Sequence, residues 1–335
     1  MPAARLVDSA PVVPADSLVA SLVPPPRFGD ARFDTYLPDP AQPSQAAAVE
    51  VLQRFAASTA PPPKRLFGRP KRLPGRPGVY LDGGYGVGKT HLLAALWHAA
   101  PEPRAYGTFV ELTHLVGALG FAATVEALSG HRLLAIDEFE LDDPGDTVLV
   151  STLLGRLVDA GVRIAATSNT LPDALGEGRF DAHEFLREIQ TLAGHFAPVR
   201  IDGEDYRHRG QPAAPPPVDD AAVTATTAAT DGATCDDFEQ LLAHLSSLHP
   251  SRYGALVDDV PLVGLVGVRP VDDQSAALRL VVLADRLYDR DIPVLSSGVP
   301  LDRLFPAELL AGGYRKKYLR AVSRLTALAR EAQSA

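Results

Sequence analysis

Eight residues, Gly83-Gly84-Tyr85-Gly86-Val87-Gly88-Lys89-Thr90, carry the strongest chemical signal in the chain. They fit G-x-x-x-x-G-K-[ST], the pattern of a loop that wraps a phosphate chain. Glycines admit positive φ and close backbone approach, so several N–H groups can converge on one anion. In such a loop Lys89 reaches the β and γ phosphates and Thr90 gives its hydroxyl to Mg2+. A helix starting at Lys89 would add the favourable end of its dipole. ATP and Mg2+ are the expected ligands.

A second run, Leu133-Leu134-Ala135-Ile136-Asp137-Glu138, is apolar and ends in two acids. As a buried strand it would deliver both acids to the carboxyl edge of a parallel sheet, beside the phosphate loop. Asp137 is expected to hold Mg2+, directly or through water. Glu138 is expected to orient and polarise an attacking water. The second acid favours hydrolysis over nucleotide-kinase chemistry, which must exclude that water. A third run, Ala165-Ala166-Thr167-Ser168-Asn169, ends in an uncharged polar tip. There Asn169 could bridge the water and the γ-phosphate.

These side chains need strands and helices in alternation, and the hydrophobic spacing supplies them. Strands are expected over 79–82, 105–110, 132–136, 162–167 and 199–202, with helices over 45–55, 89–99 and 147–160. Beyond residue 234 helices are expected over 237–248, 276–287 and 318–331, with strands at 255–257 and 293–295. The alternation makes the fold class α/β on a parallel sheet, and the phosphate loop, acid pair and Asn169 tip resemble a P-loop NTPase of AAA+-like type, a resemblance that implies a three-layer sandwich with a C-terminal α/β-to-helical extension. Residues 1–30 are Pro- and Ala-rich and read as a flexible N-terminal segment. Residues 31–209 form the P-loop core, and 235–335 a C-terminal subdomain that completes the module. Between them, residues 210–234 have no aromatic and no basic side chain, which reads as a low-complexity linker. Arg156-Leu157-x-Asp159 recurs 130 positions later as Arg286-Leu287-x-Asp289, an echo better explained by repeated α/β grammar than by duplication.

The chain has 335 residues, 46% hydrophobic and 22% charged, a globular balance that excludes a mostly disordered chain or a coiled coil. Lys plus Arg (32) minus Asp plus Glu (41) gives −9, so the surface as a whole is no nucleic-acid glove. Locally, residues 61–78 hold six prolines, six basic residues and no acid. That stretch is either a solvated loop or a docking site for a polyanion or acidic partner. The single cysteine, Cys235, rules out an intrachain disulfide. His183, His195 and His208 lack metal-ligand spacing. No run of 18 apolar residues and no signal-peptide pattern is evident, so a cytoplasmic, soluble protein is expected.

Together the phosphate loop, the Asp137-Glu138 pair and the Asn169 tip resemble an AAA+ ATPase. Residues 137–146, Asp-Glu-Phe-Glu-Leu-Asp-Asp-Pro-Gly-Asp, resemble the extended acidic box of the ZapE-type ATPases, bacterial relatives of the mitochondrial AFG/LACE ATPases. Ile201-Asp202-Gly203-Glu204-Asp205-Tyr206-Arg207 resembles that family's D-G-x-D-Y-R signature, and Ser323-Arg324-Leu325 falls in the expected order. The likeness spans about residues 32–325. It implies an ATPase associated with the FtsZ ring in cell division, or with protein quality control, that acts on a protein partner and self-associates. It also implies arginines that complete the site. Arg179 is the candidate finger reaching a neighbour's γ-phosphate, with Arg187 its rival. Arg324 is the candidate nucleotide sensor, with Arg320 the alternative. Two departures stand out: the stretch between Val110 and Leu133 is short, and the stretch after Arg209 is low in complexity. The run Gly86–Leu93 also resembles DNA-associated helicase loaders and initiators, an alternative that the 61–78 loop would serve, although no basic recognition helix is evident.

Overall fold

The computed structural model describes residues 3–12, 14–60, 76–84, 86–141, 144–171, 175, 185–203 and 214–334. The chain divides into two units. The larger comprises residues 14–24 and 28–209, the smaller residues 1–13, 25–27 and 210–335.

Helices α1 (Ala15–Ala20) and α2 (Pro43–Ser58) open the larger unit. There follow β1 (Gly78–Gly83), α3 (Lys89–Ala99), β2 (Arg104–Thr108), α4 (Phe109–Leu119), α5 (Phe121–Ser129), β3 (Leu133–Asp137), α6 (Pro144–Asp159), β4 (Arg163–Ser168), α7 (Leu186–His195) and β5 (Phe196–Ile201). The strands pair in parallel in the order β2-β3-β4-β1-β5. Because strand side chains alternate, the sheet buries two faces. Tyr80, Leu134, Ile136, Ile164 and Ala166 pack with α4, α5, α6 and α7. Val79, Leu81, Leu133, Ala135 and Ala165 pack with α2 and α3. This is the three-layer sandwich that the strand and helix alternation predicts. Near-continuous apolar strands, covered on both sides, are its sequence signature.

The smaller unit holds α8 (Asp220–Ala229), β6 (Thr234–Asp237), α9 (Phe238–Ser247), α10 (Tyr253–Leu256), β7 (Val263–Val268), α11 (Gln274–Asp289), β8 (Val294–Gly298), α12 (Ala307–Leu310) and α13 (Arg315–Ser334). Its sheet is parallel, in the order β6-β7-β8. Val263, Leu265 and Val294 face a core with α9, α11 and α13. Val223 of α8 packs with Leu262 and Leu295 on the other side.

Four expectations need correction. Described residues within 1–30, the segment expected to be flexible, are tied down at two places. Leu6 is buried in the smaller unit, the N–H groups of Leu6 and Val7 donate to Asp236, and Ala4 bridges Thr234 at the outer edge of β6. Leu22 is buried in the larger unit, and its carbonyl accepts from Tyr106 N–H at 2.8 Å. Residues 210–234 are not only a linker, since they include α8. Asp219 caps that helix through Ala222 N–H, and Val223 and Thr227 bury its inner face. Where a strand was expected at 255–257, Ala255 and Leu256 end α10 and Val257 is its C-cap, and the strand comes later, as β7. The strand expected over 105–110 stops at Thr108, where a capping box starts α4: Thr108 Oγ1 accepts Glu111 N–H at 3.3 Å and Glu111 Oε2 accepts Thr108 N–H at 2.7 Å.

The sequence echo marks one turn used twice. After α6, Val162 N–H donates to Leu157 O and Gly161 N–H to Val158 O. After α11, Ile292 N–H donates to Leu287 O and Asp291 N–H to Tyr288 O. Both are Schellman caps, with Gly161 (φ 95) and Asp291 (φ 52) in the left-handed position. Among the described residues no single helix is long and apolar enough to cross a membrane.

Candidate active site

Three strand ends converge in the larger unit. β1 lies between β4 and β5, and β4 lies between β1 and β3, so the loop after β1 opens beside the tips of β4 and β3. Gly88 sits at φ 84 as the residue before α3, and a Cβ there would lie 2.6 Å from the Tyr36 ring. Only glycine meets both conditions. Gly86 is also in the left-handed region (φ 75), Gly83 closes β1, Gly84 is exposed and Val87 is buried. Tyr85 lies outside the described residues.

Lys89 folds back across the loop. Its Nζ donates to Gly83 O at 2.8 Å, to Gly84 O at 2.6 Å and to Asn169 Oδ1 at 2.8 Å. One ammonium thus joins the tips of β1 and β4. Asp137, buried at the end of β3, receives several donors. Oδ1 accepts from Thr90 Oγ1 at 3.4 Å, from Glu138 N–H at 3.1 Å and from the Thr167 hydroxyl; Oδ2 accepts from the Tyr106 hydroxyl at 3.1 Å. The expected Lys89, Thr90, Asp137, Glu138 and Asn169 therefore share one edge of one sheet.

Glu138 is half-buried and adopts φ 54, a left-handed conformation that costs a non-glycine residue free energy. Its neighbours hold it there. Glu138 N–H also donates to Thr167 Oγ1 at 3.1 Å, and Phe139 N–H donates to Thr167 O at 2.7 Å. Phe139 is fully buried, edge-on to Tyr80, Phe109 and Phe196 with ring centroids 6.3, 5.3 and 6.0 Å away. The aromatic after the acid pair and Thr167 of β4 together hold the strand end.

Residues 32–45 run along the outside of the loop. Tyr36 donates its hydroxyl to Val87 O at 2.9 Å. His91 Nε2 contacts Thr35 Oγ1 at 3.0 Å and Arg32 O at 3.1 Å. Gln45 is buried, accepting from Asp39 N–H at 2.8 Å and donating to Asp202 O at 2.9 Å. Asp202, in the I-D-G segment, pairs with Arg200, which also binds buried Asp82. The hydrogen bond to Asp82, then the one to Asp202, raises the Arg200 guanidinium; the bond from Arg200 lowers the Asp202 carboxyl. The Asp205-Tyr206-Arg207 part of the signature and Asp142-Asp143 lie outside the described residues.

Of the arginine candidates, Arg179 lies outside the described residues. Arg187 is an exposed residue in the first turn of α7. Arg320 and Arg324 both lie on α13 and pair with one carboxylate, Asp285 of α11. Burial pushes Asp285 up, but Arg320 and Arg324 outweigh it and hold the carboxyl below its usual range.

The model of the AFG1-like ATPases matches residues 12–229 and 217–334. The chain belongs to the AFG1-like ATPase family. The cell division protein ZapE of Escherichia coli strain K12 is 28% identical over 200 residues, covering 52% of this chain and 53% of ZapE. A Schizosaccharomyces pombe protein of uncharacterized function is 26% identical over 181 residues, covering 44% of this chain and 38% of its own length. The chain spans about half the length of the curated relatives it matches. Among solved structures, AMPPCP-bound DnaA from Aquifex aeolicus aligns over 91% of this chain and 92% of its own, at 11% identity and a TM-score of 0.39. The DnaC helicase loader aligns over 52% of this chain and 99% of its own, at 19% identity and a TM-score of 0.36.

As a member of the AFG1-like family, this chain presents a donor set that suits Mg2+. The Thr90 hydroxyl and Asp137 carboxylate are hard oxygen donors 3.4 Å apart, and Mg2+ binds through one or two protein oxygens plus phosphate and water. The sequence reading missed Tyr36, Tyr106 and Thr167. Thr167 lies inside the A-A-T-S-N run, but a threonine in a strand reads as β propensity. Tyr106 and Tyr36 belong to no motif, and no sequence signal separates them from core aromatics.

Proposed function

We propose that this chain hydrolyses ATP to ADP and phosphate in a Mg2+-dependent reaction, and uses the cycle to regulate or remodel a protein partner in a cell-division setting such as the FtsZ ring. The observation that carries the reading is the convergence of Lys89 with Asn169 (2.8 Å) and of Thr90 with Asp137 (3.4 Å). The triphosphate lies along the loop N–H groups, at the start of α3. Lys89 exchanges the carbonyls of Gly83 and Gly84 for phosphate oxygens. Thr90 and Asp137 would hold Mg2+, which would supply charge neutralisation to the phosphates. Glu138 orients the attacking water and polarises it, while Asn169 holds the water against the γ-phosphate. Arg179, or its rival Arg187, acts as the finger between neighbouring copies, and Arg324, or Arg320, as the sensor. The working site is cytoplasmic and the working form self-associated.

The test is steady-state ATP turnover across a protein concentration series, alone and with FtsZ polymers or DNA. Specific activity that rises with concentration and again with FtsZ supports the reading. Stimulation by DNA alone replaces it with a DNA-associated factor. A rate indifferent to concentration and to both additions removes the shared site and the partner role.

A further inference from the structure

We propose that Thr167 is a positioning residue that locks the acid pair into one unit, setting the aim of Glu138 from the neighbouring strand. The inference rests on the proposed hydrolysis. Thr167 is 2% exposed, at the penultimate position of the central strand β4. Its hydroxyl is used in both directions: it donates to Asp137 and accepts from Glu138 N–H at 3.1 Å. Its carbonyl accepts from Phe139 N–H at 2.7 Å. One residue thus touches three consecutive residues of the neighbouring chain end, which brackets the Glu138 peptide. That peptide is the one with φ 54. A left-handed glutamate persists only where its surroundings over-determine it. Here the surroundings are the Asp137 carboxylate before it, the Phe139 ring after it and the Thr167 hydroxyl beside it. Valine would fill the same volume without the hydroxyl. Asp137 would then lose one donor and Glu138 N–H one acceptor, with the aromatic cluster untouched.

A misplacement of about 1 Å at a reacting group costs on the order of 100-fold in rate. Thr167→Val is therefore expected to lower kcat roughly 10- to 100-fold. Affinity for a non-hydrolysable ATP analogue, measured with Mg2+ by calorimetry, should change less than about threefold, because the loop and Lys89 are intact. Thr167→Ser keeps the hydroxyl and should restore kcat to near the wild-type value. The thermal midpoint of both variants is read alongside. Unchanged kcat in Thr167→Val overturns the proposal. So does a parallel loss of kcat, analogue binding and thermal midpoint that serine fails to rescue, since that is the signature of a core residue only. A wild-type chain that binds ATP without hydrolysing it overturns the functional reading itself, so the wild-type control separates that failure from the failure of Thr167.

Discussion

Lys89 and Asp285 show how far one charged side chain organises its surroundings. The Lys89 ammonium gathers two carbonyls of its own loop and the Asn169 amide oxygen. In the proposed reading these contacts hold the cation where phosphate oxygens would arrive. A hydrogen bond to a charged group is worth about 1.5–3 kcal/mol, so Lys89→Ala should weaken ATP binding about 10- to 100-fold in calorimetry. Unchanged affinity would remove Lys89 from the site. Asp285 does the opposite job in the smaller unit, neutralising Arg320 at 2.7 Å and Arg324 beside it. Arg324 also lies over the Tyr288 ring at 5.1 Å, and Arg27 covers that ring at 3.9 Å. Removing one partner of a buried pair leaves uncompensated charge and costs about 3–5 kcal/mol. Asp285→Ala should lose about that much in urea unfolding; a loss below 1 kcal/mol would mean that water already screens the pair.

At the scale of elements, legibility follows the clarity of the pattern. β1 and α3 are legible because an apolar run meets a glycine turn and then a 3.6-residue period. β3 is legible because four apolar residues, Leu133 to Ile136, end abruptly in acids. β7 is hidden because Gly264 and Gly267 interrupt its apolar run, and glycine weakens a strand signal. The structure explains Gly264: a Cβ there would sit 2.6 Å from Thr227 Cγ2 and 2.9 Å from Val223 Cγ1 on α8. The helix lies against bare backbone. Gly264→Ala should force α8 outward and cost about 1–3 kcal/mol, measured by urea unfolding. A neutral or stabilised variant would contradict that packing. α8 itself was illegible because its Ala-Thr sequence carries no aromatic and only Val223 and Thr227 as fully buried contacts. α10 read as a strand because three apolar residues, Ala255 to Val257, precede Asp258-Asp259, whereas Tyr253, which begins the helix, donates its hydroxyl to Leu245 O at 2.6 Å. In the site, the motif residues were legible as types at fixed spacing. Thr167, Tyr106 and Tyr36 were not, because their roles come from pairing between strands and from a segment distant in sequence.

For the whole molecule, acid sensitivity follows from the half-buried histidines of the larger unit. Burial lowers the pKa of His98, His131 and His195, despite backbone hydrogen bonds at His98 and His131 and the charge of Asp159 near His195 that act the other way. As pH falls below the ordinary histidine value of about 6.5, the unfolded chain takes up protons that the folded unit refuses. Their contribution is therefore complete above about pH 7 and is lost as pH descends through 6.5 toward the lowered folded values. The thermal midpoint of the larger unit should fall between pH 7.5 and 5.5, and His131→Gln with His195→Gln should flatten the slope. A rise on acidification would contradict this sign. Whether the chain is a hydrolase is decided by phosphate release from Mg-ATP by wild type and by Glu138→Gln, with ATP binding measured in parallel. Both proteins should bind ATP with similar affinity, and Glu138→Gln should release phosphate at least about 100-fold more slowly. Equal rates in the two proteins, or no ATP binding by either, would contradict this expectation.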